Sequence, residues 1–225
     1  MSLPESMVET EAEVVTAAGQ ESIPWETPDL PVLVALVNTL RTILGQPGEF
    51  FRNMSRQGGL GAPLGFALIL GTAGMLASLY WQLIQLLLIG NLGSWLPFGA
   101  KNSLTPGGGH VVGVALLVPL VVMITQFLVS LFLQWALLIV GGWNPSYEAV
   151  FRVIAYSHAP LVATCLPVLG GVIAGLWSLV VEFIALVQVF RISRFRALIA
   201  LLVASFLSLT FFGILTLVLG LALLG

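Results

Sequence analysis

Five residues with reactive or ionisable side chains sit among apolar neighbours: Arg152, Tyr156, Ser157, His158 and Glu182. Ionisable groups at membrane depth are costly to bury, so each marks a candidate functional position. Glu182 is flanked by Val180, Val181, Phe183 and Ile184. Counted along a helix from Phe190 it lies about 12 Å deep, and His158, counted from Ala149, lies about 13.5 Å deep. The matching depths predict a His158–Glu182 contact. Such a pair would switch protonation or line a substrate path, although inside a bundle a structural hydrogen bond is the commoner role. Arg152 is shallower, about 4.5 Å in by the same spacing, and is expected to snorkel to the interface. The chain has no His-Glu-x-x-His, Walker loop, Gly-x-Ser-x-Gly or paired intramembrane carboxylates. His110 after Gly107–Gly109 supplies one metal ligand of four, and Cys165 alone supports neither a disulfide framework nor a cysteine metal site. No cofactor, no metal and no enzymatic activity are expected.

The elements that would hold these residues follow from composition. The chain has 225 residues, 58% hydrophobic and 8% charged, against about 25% charged in soluble domains. That balance excludes a soluble enzyme, a nucleic-acid binder and a disulfide-stapled secreted domain. The fold class is an all-α integral membrane protein: a bundle of five transmembrane helices preceded by an amphipathic interfacial segment.

Residues 1–30 carry seven acids and no base, so a disordered acidic tail is expected there. They lack the basic start and apolar run of a signal peptide. In 31–57, Asn38, Arg41 and Thr42 share one helical face. Gly45 and Pro47 then separate a second piece bearing Phe50, Phe51 and Met54. This segment would lie in the headgroup plane or pack on the protein. The membrane domain occupies 58–225, with spans at about 62–90, 111–140, 149–169, 170–190 and 197–220, each near the roughly 20 residues a crossing needs. Pro119, Pro160 and Pro167 are expected kinks, and irregular backbone at depth is where transporters often hold ligand. The 91–110 stretch reads as a loop, with Trp95 and Trp143 as interfacial aromatics. Gln82 and Gln85, and then Gln126, Ser130 and Gln134, mark inward faces joined by hydrogen bonds.

A cut into four spans is also possible, with 145–160 on the surface and one long span at 161–190. Charge decides between them, because Lys and Arg concentrate on cytoplasmic loops. Arg41, Arg52 and Arg56 precede the first span. Five spans return the basic cluster Arg191, Arg194 and Arg196 to that same side, and the chargeless Gly170–Gly171 becomes the opposite turn. The N-terminus is then cytoplasmic and the C-terminus outside.

The order of motifs resembles the YIP family of multi-pass membrane proteins (Ypt/Rab-interacting proteins), in its prokaryotic branch. The matching residues are Pro47, Phe50 and Phe51, then Gly58-Gly59-Leu60-Gly61-Ala62-Pro63, Gly141–Gly142, Ala155-Tyr156-Ser157-His158-Ala159-Pro160, and Pro167 with Gly170. The resemblance covers about 31–225 and implies a five-span domain in a bacterial inner membrane. Eukaryotic relatives bind prenylated Rab GTPases through an Asp-Leu-Tyr-Gly-Pro motif. Here Leu60-Gly61-Ala62-Pro63 lacks the Asp and Tyr, so that binding does not carry over.

The expected function is a non-enzymatic membrane scaffold or adaptor with a cytoplasmic protein partner. The alternative is a small oligomeric transporter or channel using Glu182 and His158. Expected partners are the lipid bilayer and a further copy of the chain, through Gly61-x-x-x-Gly65 or Gly171-x-x-x-Gly175, and no nucleic acid. The 191–196 cluster would touch anionic lipid as a topology signal.

Overall fold

The computed structural model describes residues 23–93, 108–141 and 145–224, and these are all-helical. A 3-10 turn at Pro24–Glu26 is followed by α1 (Val32–Gly45) and α2 (Pro47–Asn53). Pro47 opens α2, with Glu49 in the first turn and Arg52 in the last, as the helix dipole favours. Then come α3 (Gly61–Gly93), α4 (Gly108–Gly141), α5 (Tyr147–Tyr156), a 3-10 segment (Ala159–Cys165), α6 (Gly170–Phe190) and α7 (Arg194–Leu224). Ser146 caps α5 by accepting from the Ala149 amide at 3.2 Å.

Four stretches are long and apolar enough to cross a membrane: Gly61–Gln85, Ala115–Gly141, Gly170–Phe190 and Arg194–Val218. They correspond to the expected first, second, fourth and fifth spans. The expected continuous helix over 149–169 does not form. Pro160 has no N–H for the Tyr156 carbonyl, and Pro167 none for Ala163. The backbone instead tightens to three-residue bonds, Leu161 N to His158 O and Leu166 N to Ala163 O, each 2.9 Å. Pro160 and Pro167 therefore break the helix rather than kink it, whereas α4 continues through Pro119.

Three other expectations are corrected. The turn before α6 is Pro167–Leu169, with Val168 at φ 64°, and Gly170 already belongs to the helix. The loop expected at 91–110 loses both ends to helix, since α3 runs to Gly93 and α4 starts at Gly108. The tail expected to be disordered through residue 30 is ordered from Ile23, which is buried. Residues 1–22 of that tail, Trp95, Lys101 and Trp143 lie outside the described residues.

All residues of α5 from Ala149 to Tyr156 are buried, so this short helix is the axis around which the others pack. Phe66 from α3, Leu133 and Leu137 from α4, and Leu186 from α6 join Val150, Val153 and Tyr156 in one core. Phe51 of α2 enters it fully buried. On α1 the stripe Ala35, Thr39 and Ile43 is buried against the protein, while Val32, Leu33 and Val37 face outward. The long helices expose Leu117, Ile139, Leu176, Leu202 and Phe206, a surface that suits lipid and not water.

A Cβ at Gly170 would run into the Ala163 carbonyl oxygen, whereas Gly171 faces open space. Gly170→Ala is therefore expected to destabilise the fold by about 2 kcal/mol, the usual scale of overpacking. Gly171→Ala should leave the melting temperature in detergent unchanged. Equal melting of the two variants would contradict this packing.

Candidate functional site

Arg152 is the centre of the best-defined polar site. It lies in the middle of α5 and is fully buried, so it does not snorkel. Its Nη2 donates to Glu26 Oε1 at 2.5 Å, and this is the one ion pair among the described residues. Nη1 donates to the Gly59 carbonyl at 3.2 Å. The Gly59 amide in turn donates to Glu148 Oε1 at 2.6 Å. Tyr156, one helical turn after Arg152, donates its hydroxyl to the same Glu26 oxygen. Helix geometry places i and i+4 side chains on one face, and a single carboxylate receives both.

Glu26 reaches this depth because its neighbours are fastened. The Trp25 indole N–H donates to the Ala62 carbonyl at 2.6 Å, and the Trp25 amide donates to Thr39 Oγ1 at 3.0 Å. The indole packs edge-on against Phe66, with centroids 5.9 Å apart. Tyr156 is wedged between Phe50 and Phe66, at 5.3 and 5.2 Å. Pro24-Trp25-Glu26 thus forms a latch over the start of α3, with α2 closing one side. Gly58 and Gly59 adopt φ values of 136° and 86°, open readily only to glycine. A Cβ at Gly58 would also crowd the Arg152 guanidinium at 3.3 Å.

Beyond Tyr156 the broken segment follows α3. Gly71 of α3 approaches the His158 ring, and Gly74 approaches Leu161 and Thr164. From Phe66 to Gly74 this is an advance of about 12 Å. Gly170 then packs on Ala163, and α6 runs back until Ile184 and Gln188 meet Gly48 of α2.

The expected His158–Glu182 contact is absent among the described residues. His158 turns toward α3, with Nδ1 2.9 Å from the Ile154 carbonyl oxygen. Glu182 instead lines a groove of about 400 Å³ between α4, α5 and α7, with Val129, Leu133, Ser205 and Ser208. His158 stands just ahead of the 3-10 segment, with its ring on the preceding turn and against Gly71 of α3. Equal depth therefore does not bring it to the face of α6 that bears Glu182. Ser157 Oγ is buried without a hydrogen-bond partner among the described residues.

The glutamine stripe serves α5. Gln126 Nε2 donates to the Phe151 carbonyl at 3.1 Å, Ser130 Oγ to the Gln126 carbonyl at 2.7 Å, and Gln134 Nε2 to the Pro145 carbonyl at 3.0 Å. Among the described residues, no group of three or more His, Cys, Asp or Glu could hold a metal ion.

The Yip1 domain model matches residues 41–220, most of the chain. The chain belongs to the Yip1 domain family. No curated protein and no solved structure matches it. Within the Yip1 domain lie Arg152, Tyr156, Gly58 and Gly59, whereas Glu26 precedes the matched residues. The latch therefore comes from chain outside the family model, and sequence reasoning missed it. The signal available was Pro24-Trp25-Glu26 itself, a large aromatic beside an acid just ahead of α1.

Removing one partner of a buried ion pair leaves the other charge uncompensated. Glu26→Ala is expected to destabilise the protein by about 3 kcal/mol. Adding Arg152→Met should recover part of that loss, since the stranded charge is then gone. Tyr156→Phe keeps the ring packing and loses one hydrogen bond to a charged group, about 1.5 kcal/mol. Thermal unfolding of the four proteins in one detergent checks the order.

Proposed function

We propose that this Yip1-family membrane protein is a non-enzymatic scaffold or adaptor, with a cytoplasmic face built from its pre-membrane segment. The observation that carries this reading is the pairing of buried Arg152 with the partly exposed Glu26. It fixes the chain before α1 rigidly on the membrane domain, so α1, α2 and the 191–193 link with the first turn of α7 form a shaped surface and not a loose tether.

In this reading the chain crosses the membrane five times. The segment Tyr147–Cys165 makes the third crossing as a broken one, sheltered by α3, α4 and α6. Its support is the direction of contact described above: the segment advances beside α3, and α6 returns over the same depth. A ten-residue helix and a seven-residue 3-10 segment together cover about 29 Å, close to a hydrocarbon core of roughly 30 Å. Irregular backbone at depth is tolerated where protein surrounds it. The arginines at both ends of the bundle's basic side then face the cytoplasm, and the location is a bacterial inner membrane. Gly171 and Gly175 face open space, which leaves α6 free to approach a second copy.

Five crossings place Gly225 on the side opposite the N-terminus. A C-terminal reporter active only outside the cytoplasm should therefore be active, and a cytoplasmic C-terminus would overturn the five-crossing reading.

The adaptor role is tested with residues 1–22 removed, because a deletion through residue 56 would also remove Glu26, Phe50 and Phe51. The full chain should retain one defined cytoplasmic protein that the shortened chain loses. Reconstituted vesicles should show no solute or ion flux above protein-free vesicles. Flux that disappears in Glu182→Gln would instead establish the transporter alternative.

A further inference from the structure

Three arginines converge on one pocket, two from the 52–57 stretch and one from far along the chain. Arg52 from the last turn of α2, Arg56 from the link to α3 and Arg191 from the end of α6 line a polar pocket of about 490 Å³, with Asn53, Ser55 and Gln57. No carboxylate lines it, and none of the three guanidinium groups pairs with an acid among the described residues. Gathering like charges is unfavourable unless an anion answers them. Guanidinium forks match phosphate oxygens two at a time, and the Asn53 and Gln57 amides add further donors.

The backbone supplies a second, independent observation. Arg191 caps α6 in the left-handed conformation, at φ 52° and ψ 35°. That position usually goes to glycine, because a side chain there is strained. A strained residue held at the lip of a pocket points to a role for its side chain. A cation at a helix C-terminus also suits the dipole, so a test has to separate these two roles.

The pocket's height identifies the ligand. Gln57 lies just before α3 enters its apolar run, and Arg191 follows directly after the α6 span. Both ends of the pocket therefore sit at the level of lipid headgroups. We propose that Arg52, Arg56 and Arg191 form a binding site for the headgroup phosphate of an anionic phospholipid. The site is independent of any protein partner on the same face.

The test measures lipid retained by the purified full chain in detergent, by native mass spectrometry, together with its melting temperature. The probes are dioleoyl phosphatidylglycerol, dioleoyl phosphatidylcholine and inorganic phosphate. Phosphatidylglycerol should be retained in preference to phosphatidylcholine. Arg56→Gln and Arg191→Gln should each reduce its retention about fivefold, the scale of one basic residue near an anionic surface. Arg41→Gln, on the exposed face of α1, should change nothing. Arg191→Gly should lose the lipid while its melting temperature holds or rises, because glycine relieves the strained backbone. A merely structural Arg191 would leave retention intact in that variant and overturn the proposal. Equal loss with Arg41→Gln would overturn it too, by showing diffuse attraction without a site. Stabilisation by inorganic phosphate as strong as by the lipid would assign the pocket to a free anion instead.

Discussion

A guanidinium cannot be discharged at any ordinary pH, so burying one obliges the fold to bring it an acceptor. Arg152 is at the middle of the most enclosed helix of the molecule. Its Nε has no hydrogen-bond partner among the described residues, whereas its other two nitrogens are answered, by the Glu26 carboxylate and by the Gly59 carbonyl. The first of these pulls the pre-membrane chain down onto α3. The second fixes the Gly58–Gly59 entry into α3, which Glu148 holds from the other side. Three parts of the sequence, near residues 25, 59 and 150, are thereby tied at one point. Such a pair is weak as a source of net stability, because desolvation offsets much of its attraction. Its role is to specify one arrangement of segments that would otherwise slide along one another.

The aromatic packing depends on that arrangement. Tyr156 contributes its hydroxyl to Glu26 and its ring to Phe50 and Phe66, so α2 is seated by the same residue that completes the polar cluster. Trp25 does the same for α3, with its N–H on Ala62 and its ring on Phe66. In both residues an apolar body and a polar tip act together. The ion pair and its hydrogen bonds lie where Pro24–Glu26, the Gly58–Gly59 entry and α5 meet, while the Glu182 groove is mostly apolar.

Much of the architecture was legible from the sequence. Uninterrupted apolar runs announced four of the long helices, and the 126, 130, 134 spacing announced a face that does bond inward. The prolines at 160 and 167 announced irregularity, but not its form. Whether a proline bends a helix or ends it depends on what replaces the missing bonds, and here 3-10 winding does. His158 faces α3 and not Glu182, because equal depth does not fix which neighbour a side chain meets. Arg152 misled for a related reason: its distance from a helix end was readable, whereas its surroundings were not. An acid in a stretch that looked like solvated tail sits 126 residues away in sequence, and single-chain periodicity carries no trace of such a pairing.

That separation has a consequence for the order of assembly. Glu26 is synthesised early and its partner late, and at about 5–20 residues per second roughly 6–25 s pass between them. During that interval the amino-terminal segment can be held only by Trp25, through Thr39, Ala62 and Phe66, while Glu26 has no cation to answer and Phe50 of α2 lacks the Tyr156 ring. The Glu26–Arg152 contact can close only once α5 arrives, so the part of the chain that emerges first from the ribosome gains this partner late.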